Sequence, residues 1–470
     1  MRILLTIPTV DNRSYMGSSY SMRFADNFIP SLGLGYLAAT LAKRGHEVKI
    51  HNPVVPESVE RIVEEAERWR PDAIGLSLFT PHMRSVRELF NALGEAGRRP
   101  AMIAGGPHMS ALPEDTMLRH PFDVGVVGEG EETVCEIAER IDRKEGFEGV
   151  AGTAIRADGG VVFGPARSLI DPLDRIPLPA RDLMPPLRTH RPTPASIRRF
   201  PLAVMITSRG CPYGCAFCDR AVFGATYRAH SPEYVMTEME ETVSKHGAKE
   251  IRFFDDDIAI DRDRAETLAE MMIARGARTP WTCNISAKAA EPALMKLFKR
   301  AGCWQVLFGL ESGSDRVLKK LRKHTTTEMS ESAVRAALAA GLRVRADFIV
   351  GTPGETMDEM WRTVMFAKKL NVDFAHFNKF VPFPGTKIHA ELARAGRSFD
   401  YEENWSDTDA SNIVYLPDGA SSREYSEFLS RSYKSFYLRV SYIVRRMSRI
   451  RTFIEFASHV KGMAALLFLK

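Results

Sequence analysis

Short apolar runs alternate with longer stretches of helical periodicity from the amino terminus to about residue 145. The runs at Arg2–Ile7, Glu47–His51, Asp72–Leu78, Ala101–Ala104 and Asp123–Val127 have the length and composition of parallel strands covered on both faces. Between them, near Leu34–Arg44, Ser58–Trp69, Met83–Glu95 and Glu131–Arg140, apolar residues recur every three or four positions, as in amphipathic helices. The alternation predicts an α/β fold, here a Rossmann-like doubly wound parallel sheet over residues 1–145, with its ligand crevice beyond the carboxyl ends of the strands. Two turns fall at those ends, Gly105-Gly106-Pro107-His108 and Gly128-Glu129-Gly130-Glu131. Glycine there either permits a tight turn or lets backbone approach a bulky group.

Proline then interrupts the pattern. Pro165, Pro172, Pro177, Pro179, Pro185, Pro186, Pro192, Pro194 and Pro201 defeat helix and central strand alike, so residues 146–200 are expected to be an ordered linker. Beyond it, runs at Leu202–Thr207, Glu250–Phe254, Trp281–Ile285, Gln305–Leu310, Val344–Val350 and Phe374–Phe380 alternate with helical stretches. Six such repeats over residues 201–400 predict a partial (β/α)6 barrel of TIM type, with chemistry at the carboxyl ends of its strands. Residues 401–470 read as a helical, basic tail.

Composition narrows the class only a little. With 470 residues, 26% charged and 9% aromatic, the chain has the make-up of a multidomain globular protein rather than a disordered one. Its net charge of +5 is small for this length and gives no reason to expect a nucleic-acid partner. No apolar run reaches the roughly 20 residues of a membrane-spanning helix. The first strand is too short for a signal peptide and has no cleavage site after it, so a cytoplasmic location is expected. Six cysteines do not make a disulfide framework.

Three of those cysteines carry the chemistry. Ser208-Arg209-Gly210-Cys211-Pro212-Tyr213-Gly214-Cys215-Ala216-Phe217-Cys218 follows the first barrel strand directly, and its glycines and proline keep it a loop able to wrap three thiolates around one point. Soft thiolates select zinc or iron–sulfur clusters. Structural zinc wants four closed ligands, usually as two pairs, and no second pair is present. An electron-transfer [4Fe-4S] cluster normally uses four cysteines. Three leave one iron open to a substrate or cofactor. Cys135, Cys283 and Cys303 are expected to be buried small hydrophobes, with no second cluster.

This loop resembles that of the radical S-adenosylmethionine (SAM) superfamily, Cys-x3-Cys-x2-Cys with an aromatic before the last cysteine. The resemblance implies that Cys211, Cys215 and Cys218 ligate a [4Fe-4S] cluster and that Phe217 packs near the SAM adenine. Asp255-Asp256-Asp257 resembles the family's segment near the SAM amino group, and Glu311-Ser312-Gly313 its ribose and methionine contacts. Gly351-Thr352-Pro353-Gly354-Glu355-Thr356 resembles its loop beside the adenine. Upstream, Leu32-Gly33-Leu34-Gly35-Tyr36, Gly45-His46, the turns carrying Gly105, Gly106 and His108 and then Gly128, Glu129 and Gly130, and Ile176-Pro177-Leu178-Pro179-Ala180-Arg181-Asp182 look like the cobalamin-binding radical SAM subfamily. That subfamily holds its corrin between the parallel sheet and the barrel mouth. The similarity spans about residues 1–400.

The resemblance implies reductive cleavage of SAM to a 5′-deoxyadenosyl radical, hydrogen abstraction from the substrate, and methyl transfer from cobalamin to an unactivated carbon. A reducing partner such as flavodoxin or ferredoxin is implied as well. Radical oxidative cyclases belong to the same subfamily and stand as the alternative; a non-catalytic cobalamin sensor or carrier is a second, which would not need the cysteine loop. Methylthiotransferases carry three further amino-terminal cysteines, where this chain has Cys135 alone. After the first strand, Thr9-Val10-Asp11-Asn12-Arg13 lacks the histidine with which methionine synthase-type carriers ligate cobalt, so cobalamin binding without a histidine ligand is expected, although His82 and His108 also sit at strand ends.

From Arg431 to Lys470 the tail has nine basic side chains, interleaved with six tyrosines and phenylalanines as far as Phe456, and Glu455 as its only carboxylate side chain. It reads either as a helix packed on the barrel with a solvated basic face or as one lying on the anionic inner face of the membrane. Relatives with similar tails include enzymes acting on lipids such as hopanoids, which makes the substrate a small molecule or a lipid-like one.

Overall fold

The computed structural model describes residues 1–8, 30–52, 58–94, 99–190, 192, 197–276, 278–402 and 415–448, and the single positions 450, 456 and 460. The turn Thr9–Arg13 and the extreme carboxyl-terminal residues lie outside them.

The first sheet consists of β1 (Arg2–Thr6), β2 (Glu47–His51), β3 (Ala73–Ser77), β4 (Ala101–Gly105), β5 (Val124–Val126), β6 (Thr153–Ala157) and β7 (Gly160–Phe163), in the order 2-1-3-4-5-6-7. β1 to β5 are parallel. Alternation along β1 shows how the two faces are filled. Leu4 joins Ile74, Leu76 and Met102 under the helices Glu60–Trp69 and Met83–Gly94. Ile3 and Leu5 turn the other way, toward Leu34, Leu41, Val134 and Cys135 on the helices Leu32–Lys43 and Glu131–Arg143. The strand order reverses between β1 and β3, which sets the crevice of a doubly wound sheet there.

β6 and β7 add to this sheet as antiparallel strands, within the stretch read as linker. Their signal was a hairpin, two short β-type runs around Asp158-Gly159-Gly160, and the proline density that follows masked it. The true linker runs from Gly164 onward as short turns at Leu173–Arg175, Arg181–Leu183 and Leu187–Thr189. It is anchored by Arg181, which is buried and donates to Glu238 Oε1 at 2.6 Å and to the Val204 carbonyl at 2.8 Å. Two of the upstream motifs meet here: Ala180 N donates to the Gly35 carbonyl at 3.0 Å, and a β-carbon on Gly35 would strike Met184 and Pro179.

The second sheet is all parallel: β8 (Leu202–Met205), β11 (Glu250–Phe253), β12 (Trp281–Asn284), β13 (Cys303–Glu311), β14 (Arg343–Val350) and β15 (Phe374–Lys379), in that order. Between β8 and β11 lies a ribbon of β9 (Ser208–Arg209) and β10 (Arg228–Ala229). Ile251, Phe253, Cys283, Val306, Phe308, Val344, Phe348 and Phe377 face the surrounding helices and form the main core, so the residues between them point into the barrel. Cys135, Cys283 and Cys303 are buried.

Six strands do not close a barrel, and β15 is left as an edge. The helix Ser422–Tyr437 seals it: the Tyr437 hydroxyl accepts from Ala375 N (3.0 Å) and donates to its carbonyl (2.9 Å), and Tyr433 does the same at Phe377 (3.2 and 3.3 Å). In the next helix, Val440–Met447, Tyr442 donates to the Asp373 carbonyl and Arg446 pairs with the Asp373 carboxylate at 3.2 Å. Of the two readings of the tail, packing on the barrel describes Ser422–Met447.

Candidate active site at the junction of the two sheets

The cysteine loop leaves β8 at the face where both sheets end. Its backbone is strapped to the barrel by Ala216 N donating to the Leu321 carbonyl (2.8 Å) and Ile388 N donating to the Ala216 carbonyl (3.0 Å). Cys215 is buried, Cys211 half-buried and Cys218 exposed. A hydrogen bond from Cys218, helped by the charge of Lys323, holds the Cys215 thiol down at about 6, and the same bond holds Cys218 well up. Burial raises Cys211, with the Asp256 carboxylate adding to the effect. Among the described residues no group of three or more His, Cys, Asp or Glu side chains is disposed around a single ion. A cubane cluster does not ask for that, since each thiolate takes a different iron. Three thiols on one strapped loop beside a buried ammonium, which offsets thiolate charge, fit such a cluster.

Lys323 has a partner that explains the shape of β13. Its Nζ lies 2.8 Å from Glu311 Oε1 and 5.7 Å from the Phe217 ring centre. Burial alone would lower the lysine pKa, but Glu311 and the cysteines raise it above its ordinary value. Glu311 reaches back by adopting a left-handed backbone (φ 63°) where the pairing of β13 with β14 shifts register. Its carboxylate then occupies the space that a side chain on Gly309 would need. A non-glycine residue held at positive φ by its surroundings is the kind of strain that collects at functional sites.

The remaining SAM-motif residues divide into those that build and those that face outward. Asp255 is buried, and its Oδ1 accepts from Thr207 N (3.1 Å), Thr207 Oγ1 (2.8 Å) and Ser208 Oγ, tying β11 to the root of the cysteine loop, while Oδ2 is buried without a partner. Asp256 keeps an exposed surface, and partial desolvation beside two buried acidic neighbours raises its pKa. Ser312 is fully buried and spends its hydroxyl on Thr363 Oγ1 and Ser314 N, both at 3.1 Å. Gly351 (φ 79°) admits no β-carbon because Tyr425, whose hydroxyl donates to the Val350 carbonyl at 2.7 Å, fills that space. Gly354 lies against Lys320. Beside it, Glu355 Oε2 accepts from Thr352 N (2.9 Å) and Oγ1 (3.0 Å), its Oε1 is buried without a partner, and burial pushes its pKa up to about 7.

On the other sheet, Gly105 ends β4, and Gly106 (φ 92°) is glycine because a β-carbon would sit 2.8 Å from Leu78 N. His108 is buried, with Nδ1 3.1 Å from Thr80 Oγ1, and burial lowers its pKa to about 4, as it does for His82. Gly128 N donates to Ser110 Oγ at 3.0 Å, and Gly130 caps the helix Glu131–Arg143 against Leu37. Glu129 behaves differently: neither of its oxygens is free. Oε1 accepts from Arg209 Nη1 (2.9 Å) and Arg228 Nη1 (3.0 Å), and Oε2 from Arg228 Nη1 (2.9 Å) and Ile170 N (2.8 Å). Glu131 adds a bond from Arg209 Nη2 at 2.5 Å. All four side chains are buried. This clamp joins the loop after β5 to the β9–β10 ribbon that follows β8, two residues from Cys211. No role was legible in the sequence for Arg209, Arg228, Glu131 and Lys323, although Arg209 adjoins the cysteine motif and Glu131 ends the turn Gly128-Glu129-Gly130-Glu131.

Residues 205–367 match the radical SAM superfamily and residues 24–138 the B12 binding domain. The "Uncharacterized methyltransferase PH0819" of Pyrococcus horikoshii is 32% identical over 97% of this chain and 96% of its own length. The anaerobic magnesium-protoporphyrin IX monomethyl ester cyclase of Rubrivivax gelatinosus is 25% identical over 88% of this chain and 75% of its own. In fold, the cobalamin-dependent SAM radical enzyme OxsB, solved with aqua-cobalamin and SAM bound, superposes with a TM-score of 0.71 at 16% identity, covering 99% of this chain and 72% of that one. A radical SAM barrel joined end to end with a B12-binding sheet defines the class. The chain belongs to the cobalamin-binding radical SAM enzymes, and its cofactors are a [4Fe-4S] cluster, SAM and cobalamin.

Two predictions follow from this geometry. Replacing Glu129 by Gln leaves Arg209 and Arg228 short of charge in a buried setting, which costs about 3–5 kcal/mol. Chemical denaturation of the full chain should show that loss, while Glu64→Gln, which breaks an exposed pair with Arg61, should stay within about 1 kcal/mol. Folding raises the Glu355 pKa from 4.5 to about 7, so the folded chain holds that proton more tightly and stability falls as pH rises between those values. Relative to Glu355→Gln, the wild type should lose up to about 3 kcal/mol between pH 4.5 and 8, with no change in their difference below that window.

Proposed function

We propose that the chain methylates an unactivated carbon of a small-molecule or lipid-like substrate in a cobalamin-dependent radical reaction. The observation that carries this is the facing of the two sheets' carboxyl ends across the Glu129 clamp, with the cysteine loop at the joint. Bound there, the cofactors would supply one-electron cleavage of SAM, hydrogen abstraction, and a methyl group, renewed from a second SAM. Two electrons are consumed per turnover, and a reducing partner such as flavodoxin or ferredoxin would provide them.

The chain's own groups divide the work. Cys211, Cys215 and Cys218 would hold the cluster, with Lys323 balancing their charge and Phe217 beside the nucleoside. Asp256, exposed at the mouth, would meet the SAM amino group, while Asp255 and Ser312 keep the strand ends in register. Glu311, Gly351 and Gly354 would shape the ribose and adenine walls. Gly105, Gly106, His108, Gly128 and Gly130 would form the corrin floor, with Glu129 fixing its distance from the barrel. Arrangement and exclusion of water are the protein's share.

Oxidative cyclisation is the second reading, favoured by the similarity to the cyclase. Anaerobic incubation of the reconstituted, reduced protein with methyl-labelled SAM, cobalamin and candidate extracts separates the two. Labelled methyl should appear in a product together with 5′-deoxyadenosine, and Cys218→Ala should abolish both and lower the iron content. Deoxyadenosine with an unlabelled, oxidised product would replace methylation by cyclisation. No deoxyadenosine at all would remove the radical reading.

A cytoplasmic setting with peripheral contact at the inner membrane face belongs to the same proposal. No helix among the described residues is long and apolar enough to cross a membrane. The helix Val440–Met447, however, exposes Val440, Val444 and Met447 at 76, 62 and 66% along one face. Co-sedimentation with anionic liposomes should fall when all three are changed to Ser; unchanged binding would discard this surface.

A further inference from the structure

The barrel interior holds a cation that the reading so far does not use. Arg252 lies on β11 between Ile251 and Phe253, both of which face the outer helices, so its side chain points into the barrel. It is only 7% exposed, and its guanidinium lies over the Phe254 ring, 4.5 Å from the centre. Among the described residues it has no hydrogen bond and no ion pair. A buried guanidinium in that state is costly unless something arrives to meet it.

The carboxylates of Glu250 and Asp347 act on it through space, but neither hydrogen-bonds to it. Across the lumen, Arg345 forms a two-pronged pair with Asp347, Nε to Oδ1 at 3.0 Å and Nη2 to Oδ2 at 3.1 Å, and Arg345 Nη2 also lies 3.1 Å from His376 Nδ1. Burial, together with the charges of Arg345 and Arg252, keeps His376 neutral, with a pKa of about 4. Glu250, nearer the amino end of the same strand, accepts from the backbone amides of Arg198 (2.8 Å) and Arg199 (2.5 Å) and from Trp304 Nε1 (3.1 Å). Glu250 and Asp347 balance Arg252 and Arg345 in charge and His376 adds nothing, but both carboxylates make their hydrogen bonds elsewhere, so among the described residues the Arg252 guanidinium has no acceptor. Thr282 and Asn284 on β12 and Asn378 on β15 also occupy inward positions, which makes this stretch of the lumen polar.

We infer that Arg252 receives a carboxylate of the substrate, so that the molecule to be methylated carries an acidic end that reaches down the barrel from the mouth where the cysteine loop lies. A buried guanidinium whose donors lack an acceptor matches a carboxylate, which it binds through two parallel hydrogen bonds. The anchor would hold the far end of the substrate while its reacting carbon stays at the mouth, where orientation has most effect on rate. This rests on the proposed radical reaction only for the identity of the occupant.

The test is a thermal melt of the reconstituted full-length protein in sodium butyrate, in butyramide, and in sodium chloride of matched ionic strength. Butyrate should raise the melting temperature saturably, and its neutral amide should not. The rise should vanish in Arg252→Gln and need about tenfold more butyrate in Arg252→Lys. Equal effects of butyrate and butyramide in the wild type, or an undiminished butyrate effect in Arg252→Gln, would overturn the assignment. Should the Gln variant not fold, the wild-type comparison and the Lys variant still decide. The melt requires no SAM turnover, so its failure and the failure of deoxyadenosine formation are separate results.

Discussion

A carboxylate in the loop after β5 holding two guanidiniums from the β9–β10 ribbon, between the first two barrel strands, is the constraint on which this architecture turns. Two α/β layers, each with its own core, could meet at many angles. Glu129 removes that freedom, because both its oxygens are bonded across the junction in a setting that excludes water. Breaking one bond strands a charge, so the arrangement is kept as a unit or not at all. Arg209, which immediately precedes Gly210 and Cys211, passes the constraint into the cysteine loop, and Ile170 N passes it into the linker. The separation between the first sheet and the cysteine loop is thus set by side chains other than the cysteines themselves.

The same economy runs through the barrel mouth. Strand ends that would otherwise fray are joined by buried acids: Asp255 joins β11 to the residues after β8, and Glu311 joins β13 to Lys323. Each leaves a feature that chemistry can use, an unpartnered carboxylate oxygen on Asp255 and an ammonium beside Cys215. Structural and functional roles overlap here because a site that excludes water makes both ion pairs and reacting groups sensitive to placement.

Much of this was legible in the chain itself, and for identifiable reasons. Fully buried parallel strands such as Ile3–Leu5 and Leu202–Met205 announce themselves by unbroken apolar runs, and the cysteine spacing has few competing explanations. Hidden from that reading were features that depend on distant partners. Arg228 looks like an ordinary surface charge until the fold brings it within reach of Glu129. Lys323 lies twelve residues beyond its partner Glu311, in a segment with no periodic signal. Arg252 was invisible because one charged residue in an apolar run gives no hint of which face it takes. The hairpin β6–β7 was lost to its proline-rich neighbourhood, and the tail's aromatic residues, equally suited to a bilayer and to a barrel wall, could not choose between them by composition.

The tyrosine seal along β15 carries a quieter implication. Tyr433 and Tyr437 recognise amide and carbonyl groups, which every residue but proline presents alike. A closure that reads only main-chain atoms makes no demand on the strand's own alphabet. His376 and Asn378, turned toward the lumen, can therefore drift as substrates change while the margin of the open barrel stays shut, which gives the scaffold room to diversify along that strand.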